Sequence, residues 1–254
     1  MSNATQSLAG TRINSLLDAN SFVEIGKSVT ARSTDFNMAE TKAPSDGVIT
    51  GYGVIDDKLV YVYSQDASVL NGTVGEMHAK KISALYDLAM KTGAPVIGLV
   101  DCAGMRLQEA TDALEAFGGI YLKQTMASGM IPQITAVFGT CGGGMAVVPA
   151  LTDFTFIESK KGKMFVNSPN ALDGNYTEKC DTASAEFQSK ETGLIDAVES
   201  EEEILAEIRQ LIGLLPSNFE DNDSFEECTD DLNRACEDIA AVSYTHLTLP
   251  TNSL

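Results

Sequence analysis

Two glycine-containing segments, each placed after an apolar run, constrain the fold of this chain more than any other feature. The first turn, residues 101–106 (Asp-Cys-Ala-Gly-Met-Arg), follows the apolar run 95–100. The second turn, residues 139–145 (Gly-Thr-Cys-Gly-Gly-Gly-Met), follows the run 132–138. Each run is typical of a buried strand, and a helical pattern follows each turn. The sequence therefore predicts two strand–turn–helix units in which glycines leave backbone N–H groups open to a ligand.

Backbone N–H groups exposed at such turns attract negative charge. A pair of them can hold a carbonyl oxygen as it becomes an enolate or a tetrahedral oxyanion. Removal of one such donor typically costs roughly 100- to 1,000-fold in rate. We therefore expect chemistry that needs few reactive side chains.

Composition narrows the class of protein. The chain has 254 residues, of which 44% are hydrophobic, which is enough for one domain of about 200 residues with a tail. Its formal net charge is -19, and residues 196–238 contain 15 acidic side chains against Arg209 and Arg234. Nucleic acid and anionic membrane surfaces require clustered basic residues, so the charge argues against both as partners.

The cysteines and the N-terminal sequence predict a cytoplasmic protein. The five cysteines form no Cys-x-x-Cys pair, which favours free thiols in a reducing compartment over a disulfide framework. Cys228 and Cys236 are too few for a zinc site, and we predict no metal. No stretch has the length of a membrane span and the start lacks the features of a signal peptide, so we expect neither export nor membrane insertion.

The remaining elements follow from periodicity. The patterns predict a helix and its exit over 11–25, a hairpin of strands 48–55 and 58–63, a helix over 74–91 closed by Gly93, short strands at 154–157 and 163–166, and a helix over 201–215. Cys102 and Cys141 stand 39 residues apart in matching contexts. This spacing favours repeated β-β-α units over one doubly wound sheet.

The sequence resembles the N-terminal half of biotin-dependent acyl-CoA carboxyltransferases, the family of propionyl-CoA carboxylase β and methylmalonyl-CoA carboxyltransferase subunits. The resemblance runs from about residue 12 to residue 240. The segments that carry it, in the family's order, are 13–18, 21–24, 50–53, 64–66, 75–82, 91–99, 127–133 and 139–154.

The resemblance implies an α/β, crotonase-like (ClpP/crotonase) fold, a spiral of repeated β-β-α units. It also implies transfer of a carboxyl group between biotin and the α-carbon of a short acyl-CoA, with the thioester enolate held by a backbone oxyanion hole. By motif, the hole falls at Gly143 and Gly144. The substrate- and CoA-binding residues implied in the same way are Ala103, Gly104, Arg106, Cys141 and Gly142. The first turn departs from the family, which commonly has Ser-Gly-Gly-Ala-Arg after the aspartate.

In the family, biotin is attached to a separate carrier protein or domain. The Met90-Lys91 dipeptide is similar to a biotinylation site, but we expect Lys91 to end a helix, so biotin should arrive on a partner. The implied partners are a biotin carboxyl carrier protein or domain, biotin carboxylase or decarboxylase subunits, and further copies in a homo-oligomer.

The resemblance also divides the chain. We expect residues 1–216 to form the N-terminal carboxyltransferase domain and residues 217–241 to form an acidic linker toward a missing C-terminal half. Residues 242–254 change character abruptly and are similar to a translated adaptor sequence, so we expect a non-native tail on a truncated product.

Two alternatives remain open at this point. Residues 139–143 also fit Gly-x-Cys-x-Gly, so Cys141 could serve a thiol hydrolase, which would need His78 as its base rather than as a packing residue. The chain could also be a noncatalytic acyl-CoA-binding or assembly fragment. Asp101, Gln108 and Glu109 could line the site or only pair along the helix.

Overall fold

An eight-stranded mixed sheet organises the residues that the computed structural model describes, which are 7–32, 43–171 and 180–221. Its strands are β1 (Val23–Ile25), β2 (Val48–Ile55), β3 (Lys58–Gln65), β4 (Val96–Cys102), β5 (Gln133–Gly142), β6 (Phe154–Glu158), β7 (Lys163–Phe165) and β8 (Ala197–Glu199). The strand order is β1-β2-β3-β4-β5-β6-β8, and β7 pairs with β5. The first two pairings are antiparallel and the others are parallel.

Helices cover both faces of this sheet. They are α1 (Leu8–Leu16), α2 (Glu76–Thr92), α3 (Ala110–Ala127), α4 (Val147–Ala150), α5 (Ala185–Phe187) and α6 (Glu201–Leu214), with a π-helical turn at Gln188–Thr192. Alternate residues of the central strands point to opposite faces, as the strand period of two requires. Val96 and Val100 join the core under α2 and α3, whereas Ile97 and Leu99 join the core under α1 and α6.

The predicted hairpin is confirmed. β2 and β3 pair in register from Val48 with Gln65 to Ile55 with Lys58. Asp56 and Asp57 make the turn with φ angles of 47° and 69°, a left-handed conformation that Asp tolerates. The helix before the first turn is confirmed as well, because α2 ends at Gly93 in the left-handed conformation.

The structure extends both strands that precede the glycine turns. β4 continues through Cys102 and β5 continues through Gly142, so the first residues of each predicted turn are strand residues. The reason is pairing: Cys102 is aligned with Cys141, and β7 pairs with residues 140–142. The alignment also supports the predicted repeat, because Cys102 and Cys141 occupy equivalent places on adjacent parallel strands.

Some elements differ from the predictions. The first helix begins earlier, at Leu8, and a short strand, β1, follows it. β8 and the helical residues 185–192 carry no clear periodic signal. The predicted acidic linker is described only to residue 221, and the predicted tail 242–254 lies outside the described residues.

Candidate functional site

The two glycine turns meet at one edge of the sheet. They follow adjacent parallel strands, whose carboxyl ends lie side by side. A Cβ atom built on Gly142 would lie 2.9 Å from the carbonyl oxygen of Ala103, and one built on Gly104 would lie 3.0 Å from that of Gly142. The backbones therefore pack directly on each other, at a distance that only glycine allows here.

The first turn is tied to the loop before α2. The Val74 N–H donates to the Gly104 carbonyl at 2.9 Å, and the Arg106 N–H donates to the Val74 carbonyl at 2.9 Å. Within the described ranges, the N–H of Met105, which lies between these two bonds, has no hydrogen-bond acceptor. Sequence reasoning did not single out this donor, because only the bonds of its neighbours reveal it.

The second turn offers further donors. The backbone leaves β5 at Gly142 and forms a 3₁₀ turn over Gly143–Ala146, which leads into α4. The first residues of a 3₁₀ turn have no acceptor for their N–H groups within that turn. Gly143 and Gly144 are half-buried, whereas Gly142 is buried. The two predicted oxyanion-hole residues are therefore the accessible part of this turn.

An aromatic pair from α3 packs against the second turn. The Tyr121 hydroxyl donates to the Gly144 carbonyl at 2.5 Å. A Cβ atom on Gly144 would lie 3.0 Å from the Tyr121 hydroxyl oxygen and 3.2 Å from the Phe117 ring. Sequence reasoning missed both rings, although two aromatic residues four apart on a helix share one face.

Arg106 takes a different place from the one predicted. Its side chain is fully buried and pairs with Asp46 at 2.5 Å and with Glu109 at 2.9 Å. It also donates to the Thr73 carbonyl at 2.7 Å. A guanidinium engaged in this way has no exposed surface for CoA, so the structure assigns it to holding the first turn. Ala103, by contrast, is exposed.

His78 is a buried hydrogen-bonding residue, as predicted. Its Nδ1 lies 2.8 Å from the Asp46 carbonyl oxygen, which can only accept, so Nδ1 carries the proton. Its Nε2 then accepts from the Gln65 side-chain amide at 3.1 Å. The pKa of His78 is lowered to about 3, mainly by burial and secondly by the nearby charge of Arg106. The imidazole is therefore neutral, and both of its nitrogens are occupied.

The thiol hydrolase alternative does not fit this geometry. Cys141 is fully buried, and its thiol donates to the Met145 carbonyl at 3.3 Å. Burial and the neighbouring Cys102 raise the pKa of Cys141 well above its ordinary value, so the thiol stays protonated. His78, the histidine among the described residues, is bonded to other groups. Cys141 therefore serves as a packing residue.

The acidic residues beside the turns have structural partners. Asp101 accepts from the Thr140 N–H at 3.2 Å and lies 3.6 Å from the Arg12 guanidinium, which ties the two strands together. Glu109 accepts from a backbone N–H at the start of α2. Gln108 is exposed. Asp101 and Glu109 therefore have structural roles as hydrogen-bond and ion-pair partners.

Two other sequence features take structural places. Lys91 lies in the last turn of α2, as predicted, and not on a hairpin. Cys102 and Cys141 are free thiols, as expected, and Cys180 is exposed; Cys228 and Cys236 lie outside the described residues. Across residues 7–32, 43–171 and 180–221, no cluster of His, Cys, Asp and Glu could hold a metal ion. No helix in these ranges is long and apolar enough to cross a membrane.

Comparison with known proteins gives a consistent family. The carboxyl transferase domain profile matches residues 3–251. Methylmalonyl-CoA decarboxylase subunit alpha of Veillonella parvula is 40% identical over 246 residues, which are 95% of this chain and 47% of that protein. The propionyl-CoA carboxylase beta chain of Roseobacter denitrificans is 41% identical over 235 residues, 87% of this chain and 46% of that protein.

A solved structure agrees in fold. The transcarboxylase 12S hexamer, with hydrolysed methylmalonyl-coenzyme A bound, matches with a TM-score of 0.83 and 32% identity over 90% of this chain and 45% of that chain. The predicted α/β, crotonase-like fold is thereby confirmed. The chain spans about half the length of the relatives it matches. Through the profile match and these relatives, the chain belongs to the carboxyl transferase domain family.

Proposed function

We propose that this chain is the acyl-CoA-facing half of a biotin-dependent carboxyltransferase. The observation that carries the proposal is the meeting of the two glycine turns at the sheet edge, where Gly143 and Gly144 are half-buried rather than buried. The thioester carbonyl oxygen would accept hydrogen bonds from Gly143 and Gly144, and the Met105 N–H supplies a further donor from the first turn.

This arrangement suits a reaction at the α-carbon of a thioester. Removal of a proton from the α-carbon gives an enolate with negative charge on the thioester oxygen, and attack of that enolate on a carboxyl donor re-forms the thioester carbonyl and leaves the charge on the new carboxylate. Fixed backbone donors stabilise the enolate charge without reorganising during the reaction. The buried, protonated thiols of Cys102 and Cys141 take no nucleophilic part.

The other predicted site residues have different roles in the proposal: substrate contact, close packing of the two turns, and support from the core. Ala103 is exposed and would contact the acyl-CoA. Gly104 and Gly142 lack the Cβ atoms that would separate the two turns. Cys141 packs beneath the second turn, and Arg106 positions the first turn from within the core.

The carboxyl group would be supplied by biotin on a carrier protein or domain, with biotin carboxylase or decarboxylase subunits as further partners. The Veillonella and Roseobacter relatives act on methylmalonyl-CoA and propionyl-CoA by name, which supports a short acyl-CoA as substrate. We place residues 1–216 in the N-terminal domain and 217–241 in a linker, within a cytoplasmic homo-oligomer.

Calorimetric titration tests the proposal. The purified chain is titrated with propionyl-CoA, acetyl-CoA and free CoA, and the result expected is tighter binding of the acyl forms. Gly144→Ala should abolish that preference, since its methyl group would meet Tyr121 and Phe117. Gly118→Ala is the matched control, because nothing lies within 4 Å of a Cβ there.

Equal binding of all three ligands would contradict a thioester site in this half. If the acyl forms bind more tightly but no carboxyl transfer follows when the C-terminal half and a biotin carrier are added, the second candidate is favoured. That candidate is a noncatalytic acyl-CoA-binding or assembly fragment.

A further inference from the structure

Helix α3 connects the two glycine turns. It starts at Ala110, directly after the 3₁₀ residues Leu107–Glu109, which follow the first turn. Farther along the same helix, Tyr121 reaches the second turn at Gly144. One rigid element therefore contacts both turns, and Tyr121 is its contact with the second.

The Gly144 carbonyl receives two hydrogen bonds. One comes from the Tyr121 hydroxyl, and the other comes from the Val147 N–H at the end of the 3₁₀ turn, which is shared between the Gly144 and Met145 carbonyls. A carbonyl held from two directions fixes the orientation of the peptide unit that follows Gly144. This unit shares the Gly144 Cα atom with the peptide unit that carries the Gly144 N–H, so the two bonds anchor one end of the unit to which that donor belongs.

The Tyr121 ring is itself held in place. Its centroid lies 6.0 Å from that of Phe117, with 29° between the ring planes. Phe117 is only 3% exposed and belongs to the core under α2 and α3. Burial is the main cause that raises the pKa of Tyr121, so the hydroxyl remains a donor at neutral pH. The contact is thus a constrained donor on a fixed ring.

We propose that Tyr121 is a positioning residue for the acyl-CoA site, whose hydroxyl holds the second turn in the conformation that directs its N–H groups to the thioester oxygen. This inference rests on the proposed function above, and it adds a residue that neither the glycine motifs nor the two turns themselves contain.

Hydrogen–deuterium exchange tests the structural part without any ligand. Tyr121→Phe removes only the hydroxyl and keeps the ring pair. The Val147 amide donates to the same Gly144 carbonyl, which the variant leaves with one hydrogen bond fewer. We therefore expect hydrogen exchange at the Val147 amide to rise about fivefold, which is the factor that corresponds to one ordinary hydrogen bond. Tyr52→Phe is the matched control, because Tyr52 lies on β2, which is not adjacent to β5. Equal exchange in Tyr121→Phe and Tyr52→Phe would overturn the proposal.

Ligand titration tests the functional part. In Tyr121→Phe, affinity for propionyl-CoA should fall about five- to tenfold, while affinity for free CoA stays unchanged; Tyr52→Phe should change neither. A purely structural role would lower thermal stability and leave the ratio of the two affinities as it was, which would also overturn the proposal.

The two arms separate this inference from the function on which it rests. If the unaltered chain binds no acyl-CoA, the proposed function fails for this chain, and exchange at Val147 alone decides whether Tyr121 holds the turn.

A double variant gives an independent check of the contact between Tyr121 and Gly144. Adding Tyr121→Phe to Gly144→Ala removes the oxygen that lies 3.0 Å from the new methyl group. The pair should therefore destabilise less than the sum of the single changes, and strict additivity would contradict the contact.

Discussion

Gly104 and Gly142 lie so close that a methyl group on Gly104 would stand 3.0 Å from the Gly142 carbonyl oxygen. Gly104 also has a φ of 118°, which side chains rarely adopt. The close approach of the two turns therefore depends on glycine at this position for two reasons, space and backbone conformation.

Gly104→Ala should destabilise the chain by about 1–3 kcal/mol and abolish acyl-CoA binding. Urea unfolding and calorimetric titration measure the two effects. Gly118→Ala on α3 has open space around its Cβ and should be neutral or stabilise by up to about 1 kcal/mol. Equal effects of the two substitutions would show that the turns do not meet as described.

His78 should make stability fall in mild acid. Its pKa is about 3 in the folded protein against 6.5 in an unfolded chain, so the unfolded state binds the extra proton below pH 6.5. Stability is full above pH 6.5 and falls by about 1.4 kcal/mol per pH unit until about pH 3. Between pH 7 and pH 5 the loss from this group is about 2 kcal/mol.

The measurement is urea unfolding at pH 7 and pH 5 for the unaltered chain and for His78→Gln. The variant loses the titrating group but keeps the carboxylates, so the difference between the two pH slopes isolates His78. Identical slopes would mean that His78 titrates normally in the folded protein.

The cysteines should differ in reactivity. Burial raises the pKa of Cys102 to about 12 and that of Cys141 well above its ordinary value, whereas Cys180 is exposed. Iodoacetamide at pH 8 should alkylate Cys180 in the folded chain and leave Cys102 and Cys141 unmodified. Peptide mass mapping reads out each site, and the same reaction in urea provides the control. Rapid native labelling of Cys141 would revive a nucleophilic role.

Ala110 has φ 46° and ψ -119°, a conformation outside the regions that alanine favours, where the first turn joins α3. Ala110→Gly should relieve this strain and stabilise the chain by about 1 kcal/mol. Ala116→Gly, in the interior of the same helix, should instead destabilise by about 1 kcal/mol. Thermal unfolding compares the two, and a lower midpoint for Ala110→Gly would contradict the strain.

Local sequence patterns were sufficient to predict the regular helices and strands named next. The hairpin at Asp56 and Asp57, the end of α2 at Gly93 and the strands before the two turns depend on turn chemistry and on periodicity, which neighbouring residues carry. Family resemblance added the fold class and the candidate oxyanion residues. By contrast, the ends of β4 and β5 depend on pairing with other strands, and the sequence placed them too early.

The sequence by itself determined which segments become strands, helices and glycine turns, because these follow from residues close along the chain. Only the tertiary structure decided that the two turns meet, that Arg106 turns inward to Asp46, and that Tyr121 holds Gly144. These contacts join residues far apart in sequence. They arise because parallel strands bring their carboxyl ends to one edge, and because a buried charge must find a partner in the folded core.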